Sequence, residues 1–142
     1  MKTKLLLVAL LAIIFGCEGV NIEADNIGTI EGKVTIGPLC PVVSVNTVGN
    51  PCGYTDAQMN AIYGAYKVVV TAANQASKKE LTLDKSGIFT FDIPEGSYEV
   101  AVQKVDGSAI GVSGQKSTEA MTAKVVKNQV SRLEISIDTG IR

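Results

Sequence analysis

Histidine is missing from the sequence altogether. Imidazole is the usual general base at neutral pH and a common ligand of catalytic zinc, so its absence excludes a Ser-His-Asp triad, a Cys-His pair and the usual zinc hydrolase site. An excess of charge of one sign is also absent, since the chain has 13 basic and 14 acidic residues. No basic patch interleaved with aromatic residues is present, so no nucleic acid partner is predicted. The sequence accordingly predicts no enzyme, no catalytic or metal-binding residue and no cofactor.

Long apolar runs are absent except at the N-terminus, where Lys2 and Lys4 precede an apolar run over residues 5–15. A basic start followed by a short apolar stretch is typical of a secretory signal peptide. The run is well short of the ~20 residues that a membrane-spanning helix needs. Residues 1–16 are therefore predicted to be a signal peptide.

The end of this run carries Ile14, Gly16 and Cys17 in the order "IFGC". This order resembles the lipobox of bacterial lipoprotein signal peptides. The resemblance implies that cleavage occurs before Cys17 and that Cys17 is acylated, which would anchor the protein to the cell membrane or outer membrane, facing the periplasm or the exterior. Residues 17–27 are then a tether, and ordinary secretion without a lipid is the alternative.

The other two cysteines, Cys40 and Cys52, lie twelve positions apart, with Pro41 and Pro51 directly inside them. A metal site would need more ligands, a redox site favours C-x-x-C, and a catalytic thiol needs a base. Outside the cytoplasm, and with Cys17 modified, the pair has an oxidising environment. We therefore expect a Cys40–Cys52 disulfide that closes a loop of about 13 residues.

Removal of the signal peptide leaves 126 residues with 11 basic and 14 acidic side chains, which suffices for the tether and one domain over residues 28–142. In this domain Ile30, Val34 and Ile36 alternate with polar residues, as in a strand with one buried face. Seven such segments predict an all-β fold, a seven-stranded antiparallel Greek-key β-sandwich. The predicted inward-facing residues of the later strands are Val68, Val70, Leu81, Leu83, Phe89, Phe91, Tyr98, Val100, Val102, Leu133, Ile135 and Ile137.

One helical insert is predicted after the cysteine loop. Thr55 and Gln58 have the spacing of a capping box, and Met59, Ile62, Tyr63 and Tyr66 recur at helical spacing, with Gly64 breaking the helix. We expect one or two turns of helix over one end of the sheets, with an irregular loop as the alternative.

The segment "DKSGIFTFDIPEGSYEVAV" resembles the transthyretin-like, carboxypeptidase-regulatory-like β-sandwiches. The matching residues are Asp84, Gly87, Phe89, Pro94, Gly96 and Tyr98. In physical terms, Gly87 and Gly96 suit tight turns, and the Tyr98 hydroxyl can satisfy backbone at the edge of a sandwich. Most of the chain is also similar to a group of small bacterial lipoproteins with one such domain.

The resemblance supplies no active site, because the related hydrolases depend on histidines that this chain lacks. Collagen-binding-protein B-type domains, another related class, join a first-strand lysine to a last-strand Asn or Asp, for which Lys33 and Asp138 are roughly placed. Two further acidic pairs were weighed against a plain surface role, Asp84 with Asp92 for Ca²⁺ and Glu95 with Glu99 for glycoside chemistry.

The function predicted from these observations is a lipid-anchored, extracytoplasmic, non-catalytic binding or structural module. It would engage a protein or a polysaccharide through its loops or a sheet edge, for example through Asn74, Gln75, Ser77 or residues 113–117. The alternatives are a carboxylate-dependent hydrolase of cell-envelope glycan and a passive envelope spacer. The sequence leaves the oligomeric state open.

Overall fold

The computed structural model describes residues 26–41, 52–111 and 114–141, within which lie seven strands and one helix. Cys17, the predicted signal peptide and nearly all of the predicted tether lie outside the described residues. The described elements are β1 (Ile27–Gly37), α1 (Asp56–Gly64), β2 (Tyr66–Ala72), β3 (Lys78–Thr82), β4 (Ile88–Pro94), β5 (Gly96–Lys104), β6 (Met121–Val125) and β7 (Val130–Asp138). None of the described helical residues forms a helix long and apolar enough to cross a membrane.

The strands form two sheets packed face to face, one with the order β4-β1-β7 and one with the order β3-β2-β5-β6. This is the predicted β-sandwich, but one pairing differs from the prediction of an antiparallel sandwich. β1 and β7 run parallel, with Gly32 opposite Leu133, whereas every other strand pair is antiparallel. The prediction erred because alternation of side chains reports which face a residue occupies and carries no information on strand direction.

The parallel pair follows from the route of the chain between the sheets. β6 runs antiparallel to β5 and ends at Val125, and a short turn over residues 126–129 then starts β7 beside the first residues of β1. The turn is held by hydrogen bonds from Thr29 N to Gln129 O (2.9 Å) and from Asn128 N to Ile27 O (2.9 Å). Both strands therefore leave the same end of the sandwich and run in the same direction.

The core lies between the two sheets and, among the described residues, contains no buried polar or charged residue. Thirteen of the predicted inward residues are buried, and Phe89 and Val100 are almost fully enclosed. The prediction that Leu81 faces the core is wrong. Leu81 is 38% exposed, because β3 is the outer strand of its sheet and all five of its residues are exposed. Leu133 is half-buried and packs against the core from β7. The residues predicted from alternation and found buried are Ile30, Val34, Ile36, Val68, Val70, Leu83, Phe89, Phe91, Tyr98, Val100, Val102, Ile135 and Ile137.

The turns of the motif "DKSGIFTFDIPEGSYEVAV" have the geometry expected from the residues. The Asp84 carboxylate accepts hydrogen bonds from the Ser86 backbone N (2.8 Å) and hydroxyl, and Gly87 follows at φ 65°, a conformation that disfavours other residues. Gly87 O accepts from Val34 N (2.8 Å), which ties the turn to β1. The Tyr98 hydroxyl donates to Pro94 O (2.9 Å), as predicted for the edge of the sandwich.

Candidate functional site

The two ends of the sandwich differ in structure. The first strand, β1, begins at Ile27, and this end of the sandwich is here called the N-terminal end. Among the described residues it carries only short connections, namely residues 73–77, Glu95 and residues 126–129. At the opposite end, here called the far end, lie residues 37–41, the helix α1, and the loops over residues 105–111 and 139–141. All of the longer insertions of the described chain therefore lie at the far end, which makes it the first candidate site.

A disulfide between Cys40 and Cys52 closes the cysteine loop at the far end, with the two Cα atoms 5.8 Å apart. This is the pair expected from the sequence. Next to it the Tyr54 hydroxyl donates a hydrogen bond to Leu39 O (3.2 Å). The two ends of the loop are thus fastened together directly beyond β1, and residues 42–51 between them lie outside the described residues.

Helix α1 lies directly after this loop and is fixed at both ends. Thr55 caps it through the predicted capping box, since the Thr55 hydroxyl accepts from Gln58 N (3.3 Å) and the Gln58 side chain accepts from Thr55 N (2.8 Å). Tyr63 is buried, and its hydroxyl accepts from Ile36 N (3.4 Å). Lys85 forms an ion pair with Asp56. The irregular-loop alternative is therefore wrong, and the helix is a rigid part of the far end.

An open cavity of about 500 Å³ lies at the far end between α1 and the loop that follows β5. Its walls are small and apolar, apart from a single carboxylate at Asp106. Val105 N donates to Ala65 O (2.9 Å), which joins the two walls, while the Val105 side chain stays 52% exposed. A hydrogen bond from Ser108 N (2.9 Å) lowers the pKa of the Asp106 carboxyl and keeps it ionised. Such a cavity can hold an apolar group, but its described walls offer no nucleophile and base in contact. The lining residues are Ala61, Gly64, Ala65, Val105 and Asp106.

A second candidate site is the outer face of the β4-β1-β7 sheet, where an open cavity of about 320 Å³ lies. Four charged residues of β1 and β7 surround it, Glu31, Lys33, Arg132 and Glu134, here called the charged face. Arg132 Nε donates to Glu31 Oε1 (2.6 Å), and this hydrogen bond to a carboxylate raises the pKa of Arg132. Exposed Ile88 lies on β4 opposite Lys33. Sequence analysis did not single out this set, because the four residues come together only once β1 and β7 are known to be neighbours.

The outer face of the other sheet carries a smaller charged cluster. Glu80 on β3 accepts hydrogen bonds from Lys67 (2.7 Å) and Lys78 (2.6 Å). These two lysines lower the pKa of the Glu80 carboxyl from 4.5 to about 2. The cluster is exposed to solvent on the outer strand β3 and its neighbour β2.

The acidic pairs weighed from the sequence are not brought together. Asp84 lies in the turn before β4, whereas Asp92 lies near the other end of β4 and accepts from the Thr29 hydroxyl (2.7 Å). Glu95 lies between β4 and β5, and Glu99 points outward on β5 between two threonines. Among the described residues, no three His, Cys, Asp or Glu side chains converge as metal ligands.

The lysine and aspartate considered for a covalent cross-link are also apart. Lys33 lies opposite Glu134 of β7, and Asp138 lies four residues further along, opposite Gly37. Four strand residues span about 13 Å. No direct bond between their side chains can form in this register.

The polar residues predicted as loop contacts have separate positions. Asn74, Gln75 and Ser77 lie exposed in the turn at the N-terminal end, and the Asn74 side chain accepts from Ala76 N (3.0 Å) within that turn. Ser117 lies towards the far end, where it forms an isolated antiparallel bridge with Gln103 of β5. Ser113 lies outside the described residues. The predicted loop contacts therefore do not form one site.

Comparisons with known proteins found no matching family model and no matching curated protein. Among solved structures, the chain is similar to a minor pilin of Streptococcus agalactiae, with 12% identity and a TM-score of 0.46 over 80% of this chain and 44% of that one. It is also similar to a leucine-rich repeat protein of Bacteroides thetaiotaomicron (18% identity, TM-score 0.37, 82% of this chain and 14% of that one). A pilus-presented adhesin matches with 12% identity and a TM-score of 0.25 over 82% of this chain and 29% of that one. The chain spans less than half of the length of each, and similarities this weak carry no conclusion about function.

Proposed function

We propose that the protein is a lipid-anchored, extracytoplasmic, non-catalytic binding or structural module that presents its far end to a partner. The observation that carries the proposal is the separation of the two ends, because the chain joins the sheets at Ile27 while the disulfide, α1 and the larger cavity lie at the opposite end. An anchor at Cys17 would place the N-terminal end next to the membrane. The far end would then face away from it.

Simple lengths support this orientation. The ten positions from Cys17 to Ile27 reach at most about 35 Å when fully extended, so the domain would stay close to the surface. β5 contains nine residues, so the sandwich is about 30 Å tall. The far end would therefore be the part of the domain that a protein or polysaccharide meets first.

The chemistry of the far end suits binding better than catalysis. The described cavity walls combine small apolar side chains with the exposed Val105 and one ionised carboxylate, Asp106, and the rigid helix α1 forms one side. A preformed wall of this kind limits the conformational entropy lost on binding. Assignment of the sandwich to the transthyretin-like, Greek-key lipoproteins is part of this proposal and rests on the sequence resemblance alone.

Two experiments test the proposal. Growth with labelled palmitate should label the native protein, and Cys17→Ser should abolish both the label and membrane association; a labelled, membrane-bound Cys17→Ser protein would contradict the anchor. For the binding surface, a photo-reactive amino acid at Val105 should capture one recurrent partner in intact cells, whereas the same group at Asn128, in a turn of the N-terminal end, should not. Capture at Asn128 and never at Val105 would contradict the proposed orientation.

A further inference from the structure

The four residues of the charged face alternate in sign along both strands and across them. Glu31 lies beside Arg132, and Lys33 lies beside Glu134, in successive rows of the parallel β1–β7 pair. Each charge therefore has opposite charges as its nearest neighbours within its strand and in the adjacent strand. Only the diagonal neighbours share a sign.

This pattern is complementary to itself. If a second copy is rotated by 180° about an axis that crosses the strands, runs parallel to the sheet just outside its outer face and lies over Gly32, then β1 faces β1 and β7 faces β7. Glu31 then faces Lys33 of the second copy, and Arg132 faces Glu134 of the second copy. A shift by one row would set like charges against each other, which is unfavourable, so the pattern also fixes the register.

Two exposed apolar residues on the same face would be shielded from water in the pair. Ile88 is 59% exposed on β4, in the same row as Lys33, and Val130 is 50% exposed on β7, in the same row as Thr29. Under the same rotation Ile88 comes to face Thr90 of the second copy, and β1, most of β7 and the first residues of β4 are covered. An open cavity of about 320 Å³ at the centre leaves space for the long charged side chains.

We propose that the outer face of the β4-β1-β7 sheet docks against the same face of a second copy of this chain, forming an isologous two-fold pair. The two copies run antiparallel, so the contact suits copies presented from two facing surfaces. The overlapping residues of the three strands give a footprint of about 350 Å² per copy, less than half of the ~800 Å² per partner of a standard stable interface. The association is therefore weak and concentration-dependent. It goes beyond the proposed function and needs neither the lipid nor a partner at the far end.

The test uses the exported chain with Cys17→Ser, studied by sedimentation over a concentration series. The native face should show self-association that weakens as salt rises from about 20 to about 500 mM. Glu31→Lys with Glu134→Lys makes the face all positive, and Lys33→Glu with Arg132→Glu makes it all negative. Each variant alone should be monomeric, and an equimolar mixture of the two should associate at least as tightly as the native chain.

Matched controls carry the same change in net charge on the outer face of the other sheet. Glu80→Lys with Glu99→Lys, and Lys67→Glu with Lys78→Glu, should each retain most of the native self-association. Circular dichroism and urea midpoints check that every variant is folded. A native chain that stays monomeric at low salt, or control variants that lose self-association as completely as the face variants, would overturn the proposal.

A second pair of variants separates this face from general stickiness. Ile88→Ser should weaken self-association about fivefold, since the side chain loses apolar area that docking covers. Val105→Ser changes a side chain of similar exposure at the far end and should leave self-association unchanged. Equal losses in the two variants would refute the assignment of the contact to this face.

Discussion

Replacement of Gly32 by alanine tests the close packing of β1 between its neighbours β4 and β7. Gly32 lies in the middle of β1, on the inward face, between Phe89 of β4 and Leu133 of β7. A methyl group there would overlap the Leu133 carbonyl oxygen and would lie 2.6 Å from Cζ of the Phe89 ring. The ring is 1% exposed, and the carbonyl belongs to the adjacent parallel strand, so neither neighbour has free space into which it can move.

The magnitude follows from two opposing effects. Overpacking of a closed core costs about 1 to 3 kcal/mol, and the upper end applies here because one of the two obstacles is backbone. Alanine offsets about 0.5 kcal/mol of this cost, since it loses less conformational entropy on folding than glycine does. We therefore expect Gly32→Ala to lower the free energy of unfolding by about 2.5 kcal/mol.

Gly64→Ala provides a control with the same change in sequence and the opposite expected sign. Gly64 is the last residue of α1, and the nearest atom to an added methyl group would be Leu83 O at 3.8 Å, an ordinary contact. Alanine has a better helix propensity, so the free energy of unfolding should rise by up to about 0.5 kcal/mol.

Urea unfolding under non-reducing conditions, followed by circular dichroism, measures both variants. With a slope near 1.5 kcal/mol per M, Gly32→Ala should lower the midpoint by about 1.7 M and Gly64→Ala should raise it by about 0.3 M. A Gly32→Ala protein as stable as the native one would refute the reasoning, because it would mean that β7 or the Phe89 ring can retreat without loss.

Three further changes test other parts of the structure. Cys52→Ser should lower the free energy of unfolding by about 3 kcal/mol, and the native protein with reductant should match the variant in urea unfolding. Tyr98→Phe removes the hydrogen bond to Pro94 O and should lower the free energy of unfolding by about 1 kcal/mol in the same assay, while the far-UV circular dichroism spectrum of the folded protein stays unchanged. The depressed pKa of Glu80 contributes stability that is present above pH 4.5 and is lost as the pH falls towards 2, so the advantage of the native protein over Glu80→Gln should disappear in acid unfolding over that window; a constant difference down to pH 2 would contradict it.

Alternation of apolar and polar residues was a reliable guide to the faces of the strands, because each inward position is selected by contact with the opposite sheet. It was less reliable where a strand lies at the side of the sandwich. Leu81 has the right spacing, yet β3 has a neighbour on one side only and its side chain is 38% exposed. Val69 shows the opposite case. Alternation places it on the outer face of β2, away from the core cluster, yet it is buried in the middle of the sheet between β3 and β5.

Strand partners and direction could not be read from the same pattern. The parallel pairing of β1 with β7 joins residues about 100 positions apart, and nothing local to either strand marks it. Gly32 illustrates the consequence: in the sequence it interrupts an apolar face, and only the pairing with Phe89 explains why no larger residue fits there. The charged face was missed for the same reason.

The backbone is held by different interactions in the sheets and at the far end. Sheet residues such as Gly32 are fixed by ladders on both sides, so a change there alters the stability of the whole domain. At the far end the backbone is held by interactions other than strand pairing, namely the Cys40–Cys52 disulfide, the Thr55 helix cap and the hydrogen bond to the Tyr63 hydroxyl. The sandwich can therefore tolerate a different shape at its far end while the sheets stay intact, which is the property expected of a surface that serves recognition.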